Sequence, residues 1–206
     1  MSHEARGLPL VEMTNASPET LALLMLNSDV HGARLDHRTQ LAAVSDALAD
    51  GAATAKDLRK RFPALAPHEI ARELQVAVAA SDDDPLVGSI WRFAEYRRRP
   101  PRIVLYTRGL APFERVLAGN LATRLLGQAT IRDVFVAHEL YHHAEAIRSE
   151  IPIARRYQST LLQIGKWRWR TGIATLAEIA AGSFSQTLLD LPCHPKVLDY
   201  VAPHRP

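Results

Sequence analysis

With 206 residues, the chain can hold one domain with a sizeable core, or one domain with an added subdomain. Its 47% apolar and 23% charged residues are ordinary for a globular protein, and a net charge of +3 is too mild to demand a nucleic-acid partner. One cysteine, Cys193, excludes an internal disulfide framework and a CxxC zinc ribbon. The N-terminal MSHEARGLPLVEM lacks the apolar core of a secretory signal, and the Leu21–Leu26 run is far too short to span a bilayer. These features point to a soluble, cytoplasmic protein with no membrane among its partners.

Residues 1–16 show no clear period and read as a flexible arm. Ser17-Pro18-Glu19 is a helix start, with proline at the first helical position, and opens the apolar stretch Thr20–Leu26. A second helix is predicted over Arg38–Ala49, stopping near Gly51. Thr54–Phe62 and Pro67–Ala79 then read as two short helices around the turn 63–66, with Leu58, Phe62, Ile70, Leu74 and Val78 as their buried face. The outline resembles a helix-turn-helix, and Lys56, Arg59, Lys60 and Arg61 give it a basic side. Those cations are not sharply clustered, so DNA is not an expected partner. Ser81-Asp82-Asp83-Asp84-Pro85 is the best boundary, dividing a helical N-terminal region (17–84) from the remainder (85–206), unless it is a solvated loop in one compact unit.

Tyr96-Arg97-Arg98-Arg99-Pro100-Pro101-Arg102 reads as an extended, solvated charge run leading into a β-branched strand, Ile103–Thr107. Ala111–Gly119 and Leu121–Gly127 are helical pieces. Tyr157–Ile164 has strand character, and Gly165–Arg170 alternates cation and tryptophan as a half-buried strand would, with both indoles expected to pack inward. Cys193-His194 has no metal-pair spacing and reads as structural.

The chemistry lies between Thr130 and Ile147. There His138-Glu139-Leu140-Tyr141-His142 forms an HExxH pattern inside one amphipathic helix, opened by the capping box Thr130/Asp133. Four residues at 100° each bring His142 about 40° round from His138 and about 6 Å along the axis, so both imidazoles share a face and can bind one Zn²⁺. Glu139, roughly 60° to the side of His142, reaches a water on the metal rather than the metal itself. An accidental match in a chain with nine histidines has an expectation of about 0.02. His143 points about 100° away from His142, either to solvent or to an outer contact of the site.

A third ligand is still required. The helix Thr175–Leu189 offers Glu178, 36 positions after His142, with the small Ala181, Gly182 and Ser185 on a face able to approach the first helix. Thr175-x-x-Glu178 is also a capping box, a role that competes with ligation. The ligand reading is favoured because no better third donor sits on a helix within reach.

HELYH with a downstream helix glutamate resembles the gluzincin branch of the zincin metallopeptidases. Glu178-x-x-Ala181-x-x-Phe184-Ser185-x-x-Leu188-Leu189-x-Leu191-Pro192 is similar to the C-terminal run of ImmA/IrrE-type peptidases. Ser185 stands where that run has alanine, one extra residue precedes the proline, and Tyr141 replaces a frequent glycine. The likeness covers about Ile131–Pro192. It implies one Zn²⁺ held by His138, His142 and Glu178, with Glu139 as general base. The expected fold is α+β and mostly α-helical, zincin-like with a small sheet and an N-terminal helical region. The expected activity is zinc-dependent hydrolysis of a peptide or protein, with the peptide lying along Ile103–Thr107 as an edge strand. Tyr157, His194, Tyr200 and His204 are unranked donors for the oxyanion. The rival is a non-catalytic zincin-like regulator whose N-terminal helices bind a protein or DNA.

Overall fold

The computed structural model describes residues 10–88, 90–117 and 119–201 of the chain. The protein is α+β and mostly helical, 58% helix and 18% strand. Part of the stretch expected as an arm is helix α1 (Leu10–Asn15), anchored by the buried Met13; residues 1–9 lie outside the described residues. Helix α2 (Pro18–Ser28) begins as expected, with Ser17 Oγ accepting the Thr20 N–H at 3.2 Å. A 3-10 turn at Gly32–Arg34 leads into α3 (His37–Arg61), which Asp36 opens by accepting the Thr39 N–H at 2.9 Å.

Helix α3 does not stop at Gly51. It continues through all 25 residues, so the segments predicted over 38–49 and 54–62 are one element. Gly51 lies where α3 crosses α9 (Thr175–Leu189), and a Cβ there would come within 2.0 Å of the Ala180 carbonyl oxygen. The glycine is a crossing point rather than a terminator. At the C-terminal end, the Arg59 guanidinium donates to the carbonyls of Phe62 and Leu65 and, at 2.7 Å, to that of Leu188. A cation on the basic side of that outline thus ties two helix ends together.

Helix α4 (Pro67–Glu73) is shorter than predicted. Gln75 takes a left-handed φ of 58°, and the chain then turns into β1 (Ala77–Ser81). Leu74 and Val78 satisfy a helical period, but β-branched Val76 leads into, and Val78 lies within, a strand that pairs with β5 (Pro101–Tyr106). The helix-turn-helix outline survives as the end of α3, the turn and a seven-residue α4, but its second helix stops before Leu74. A small ladder of β2 (Leu86–Val87) and β3 (Ile90–Trp91) precedes β4 (Ala94–Arg98). The main sheet has the order β1-β5-β4, with β1 parallel and β4 antiparallel to β5. Strand β5 is central, so Ile103–Thr107 is not an edge; the outer strand on that side is β4.

Helices α5 (Thr107–Val116) and α6 (Gly119–Leu126) lead to α7 (Ile131–Ile147), followed by α8 (Ile153–Arg156) and the antiparallel hairpin β6 (Gln158–Ile164) and β7 (Trp167–Gly172). A 3-10 segment, Pro195–Tyr200, closes the described chain. Helix α9 is the central element, packed between α3 and α7, and α7 lies against β4 and β5. Val44, Ala47, Ile103, Leu140, Ile179 and Phe184 mark the main core. A second cluster, including Met13, Leu21, Phe113, Leu125, Ile131 and Val197, joins α1, the start of α7 and the C-terminal segment.

Candidate metal centre

Helix α7 starts as its sequence dictates. Thr130 Oγ1 accepts the Asp133 N–H at 3.1 Å, while Asp133 accepts the Thr130 N–H at 3.0 Å. Val136, Ala137, Leu140 and Tyr141 are buried, which fixes the helix's rotation and turns His138 and His142 together toward α9. Tyr141 fills this interface: its ring meets Phe184 and its hydroxyl donates to Asp50 on α3 at 2.8 Å. A glycine could make neither contact.

Three donors converge. His138 Nε2 lies 3.3 Å from His142 Nε2 and 3.1 Å from Glu178 Oε2, and His142 Nε2 lies 3.5 Å from Glu178 Oε1. Tetrahedral ligands on arms of 2.0–2.1 Å stand about 3.3–3.4 Å apart, so these separations match one divalent ion. Two imidazole nitrogens facing each other across a shared carboxylate make a poor hydrogen-bonded group and a good ligand set. The structure therefore brings His138, His142 and Glu178 together as a group that could hold a metal ion, a donor set and spacing compatible with zinc.

Glu178 is not a cap. The residue before α9 is Ala174, which makes no side-chain cap bond, and the Thr175 hydroxyl donates to Asp29 Oδ2 at 2.6 Å. Burial works to raise the Glu178 carboxyl, but its hydrogen bond to His138 and the two imidazoles draw it down to about 2. Burial opposes charge on His138, yet the Glu178 and Glu139 carboxylates outweigh it and raise its affinity for a proton. His142 shifts the opposite way, through burial and the neighbouring His138.

Glu139 stands beside the donors without joining them. Its Oε2 accepts the Tyr96 N–H at 2.8 Å, and burial lifts its carboxyl above the ordinary range. Tyr96 lies on β4 and points that N–H away from β5, so the outer strand of the sheet holds the carboxylate. The Tyr96 hydroxyl meets His143 Nδ1 at 2.9 Å. His143 is buried, not solvent-facing, and ties α7 to β4. Sequence reasoning passed over Tyr96, read only as the start of a charge run. Within that run Arg97 pairs with Glu95 at 3.0 Å and Arg98 donates to the Ala146 carbonyl at 3.1 Å.

A cavity of about 560 Å³ opens beside the donors, lined by His138, Glu178, Asp29, Gly182, His194 and Tyr200 among others. Of the proposed oxyanion donors, His194 and Tyr200 line it. Tyr157 instead donates to Asp46 at 2.7 Å, and His204 lies outside the described residues. The His194 ring packs on Gly182, where a Cβ would come within 2.5 Å of it. Burial and the nearby His138 hold its imidazole down at about 4, so it is neutral at physiological pH.

Comparison with known proteins adds no relative: no family model, no curated protein and no solved structure matches this chain.

Proposed function

We propose that the protein is a zinc-dependent metallopeptidase of the gluzincin type, hydrolysing peptide bonds in a peptide or protein substrate. The observation that carries this reading is the division of labour among four side chains: His138, His142 and Glu178 form a three-donor group, while Glu139 is tethered next to it by the Tyr96 N–H. His138, His142 and Glu178 would hold a zinc ion, which when bound would supply polarisation of the scissile carbonyl and acidification of the attacking water. Glu139 takes the water's proton and delivers it to the leaving amine. Its raised proton affinity and its fixed position suit that relay. His194 and Tyr200, lining the cavity, are the donors nearest in kind to what a developing oxyanion requires. An extended peptide has β4 as its outer strand, in place of the Ile103–Thr107 strand that the sequence suggested.

Duplex DNA has no place in this reading, since α4 ends at Glu73 and Arg59 is committed to carbonyls. The reaction is taken to be cytoplasmic, where the lone Cys193 needs no disulfide partner. The test is Glu139→Gln. It should retain near-stoichiometric zinc and lose hydrolysis of a responsive peptide by at least about a hundredfold. Equal turnover by the variant would remove Glu139 from the mechanism, and loss of metal would make it a ligand.

A further inference from the structure

The hairpin β6–β7 is the part of the molecule that the metal chemistry leaves unused. Its register pairs Leu162 with Trp169 and Ile164 with Trp167, which places these four side chains on one face. That face has no covering element. Trp167 is 85% exposed, Trp169 69%, Ile164 63% and Leu162 46%. The sequence predicted inward-packed indoles, and the structure reverses this. The opposite face carries Gln163, Arg168 and Arg170, and the turn carries Gly165, at a φ of 59°, and Lys166. Lys166, Arg168 and Arg170 have no ion-pair partner among the described residues, and no acidic residue occurs from Tyr157 to Ile173. The hairpin is pinned to the body at its base, where the Ile173 N–H donates to the Ala154 carbonyl at 2.7 Å and Gly172 lies against that oxygen.

We propose that this hairpin docks the protein on an anionic lipid surface. Two indoles and two aliphatic side chains on one face suit the boundary between headgroups and acyl chains. With that face sunk by about 5–10 Å, the strands lie near the phosphates, and the cations on the other face and at the turn remain at headgroup level. Charge complementarity selects this occupant. A second copy apposed through the same face would leave Arg168 and Arg170 of both hairpins on the outer sides with nothing acidic to engage them. A single-stranded nucleic acid stacked on the indoles would have its phosphates on the face away from Arg168 and Arg170, and would leave Leu162 and Ile164 without apolar partners. Among the described residues no helix is long and apolar enough to cross a membrane. Lying on a surface requires only an apolar face and cations, so the expectation of no membrane partner does not extend to it. The proposal is independent of the peptidase reading.

Full-length protein is floated with vesicles of phosphatidylcholine alone and of phosphatidylcholine with phosphatidylserine. It should co-float with the anionic vesicles, far less with the neutral ones, and its tryptophan emission should shift to the blue on binding. Trp167→Ser with Trp169→Ser should abolish both signals. Lys166→Gln with Arg168→Gln and Arg170→Gln should weaken partitioning by roughly a hundredfold, at about a fivefold loss per cation removed. Unchanged metal content and melting temperature would show that both variants are folded. Failure of the wild type to bind either vesicle overturns the proposal. So does tryptophan-dependent binding of a single-stranded polynucleotide without vesicle binding, or tryptophan-dependent dimerisation in its place.

Discussion

Fifteen residues of the hairpin, Gln158–Gly172, precede the fifteen of α9 by two residues, yet the hairpin buries only Ser159 while α9 buries ten. Helix α9 carries three alanines, a glycine and two serines, so neighbours come close to its backbone, and Glu178 is held on its open side beside His138 and His142 of α7. The hairpin carries the largest side chains of this part of the chain and has no neighbour to place them against. Small residues hold a reactive group still; large ones left outside await a surface. A mutation in the first region should disturb metal or fold, and one in the second should disturb neither.

The largest effect is expected at the ligands. His142→Ala and Glu178→Gln should lower zinc affinity alike, and by more than the 10–100-fold typical of losing an outer contact to a ligand. Competition with a metallochromic chelator measures both. Wild-type affinity in Glu178→Gln beside loss in His142→Ala would place the third ligand elsewhere.

Next comes the anchor behind the site. Asp50, on α3, accepts from Arg148 at 3.0 Å, Arg156 at 2.8 Å and the Tyr141 hydroxyl. Its side chain is almost fully enclosed, so Asp50→Ala should cost about 3 kcal/mol in urea unfolding, because the buried Tyr141 hydroxyl and two partly exposed guanidinium groups lose their acceptor. Burial raises the Asp50 carboxyl, but the hydrogen bonds of Arg148 and Tyr141 and the two guanidinium charges together hold it below the ordinary range. A depressed folded-state value means that its contribution is complete above about pH 4 and fades as the pH falls through that depressed value. Unfolding midpoints below pH 4 should therefore drop more steeply in the wild type than in Asp50→Asn.

A smaller loss is expected at the helix crossing. Gly51→Ala puts a methyl group into the Ala180 carbonyl and should cost about 1–3 kcal/mol. An alanine in an open helix interior would instead stabilise, so the sign of the change tests the crossing. Smallest of all, Trp167→Ala should change stability by less than about 0.5 kcal/mol, since its ring is mostly in water. A large loss there would mean that the indole is packed, and would end the contrast between the two regions.

The sequence made α7 legible because its cap, its period and its histidines agree, and Glu178 legible because one carboxylate stands alone in a small-residue helix. Gly51 was misread because a glycine that ends a helix and one that admits another helix look the same in one dimension. Val78 was misread because Leu74 and Val78 satisfy a helical period, whereas pairing with β5 decides the conformation. Tyr96 was invisible for a different reason: it holds Glu139 through a backbone N–H, which every residue but proline possesses. The alternation of Trp167 to Arg170 correctly gave a strand, but period two cannot say whether the apolar face finds a partner.

Thr175 stands one turn before Glu178 on the same side of α9, and its hydroxyl is fastened to Asp29, whose other oxygen receives the His31 and Gly32 N–H groups at 2.7 and 3.0 Å. A helix slipped by one residue rotates by 100°, enough to swing Glu178 from the imidazoles into the core or into water. The Asp29–Thr175 bond works as an index mark, setting the angle at which the helix seats. The loop after α2 thereby specifies the orientation of a ligand almost 150 residues later in the chain.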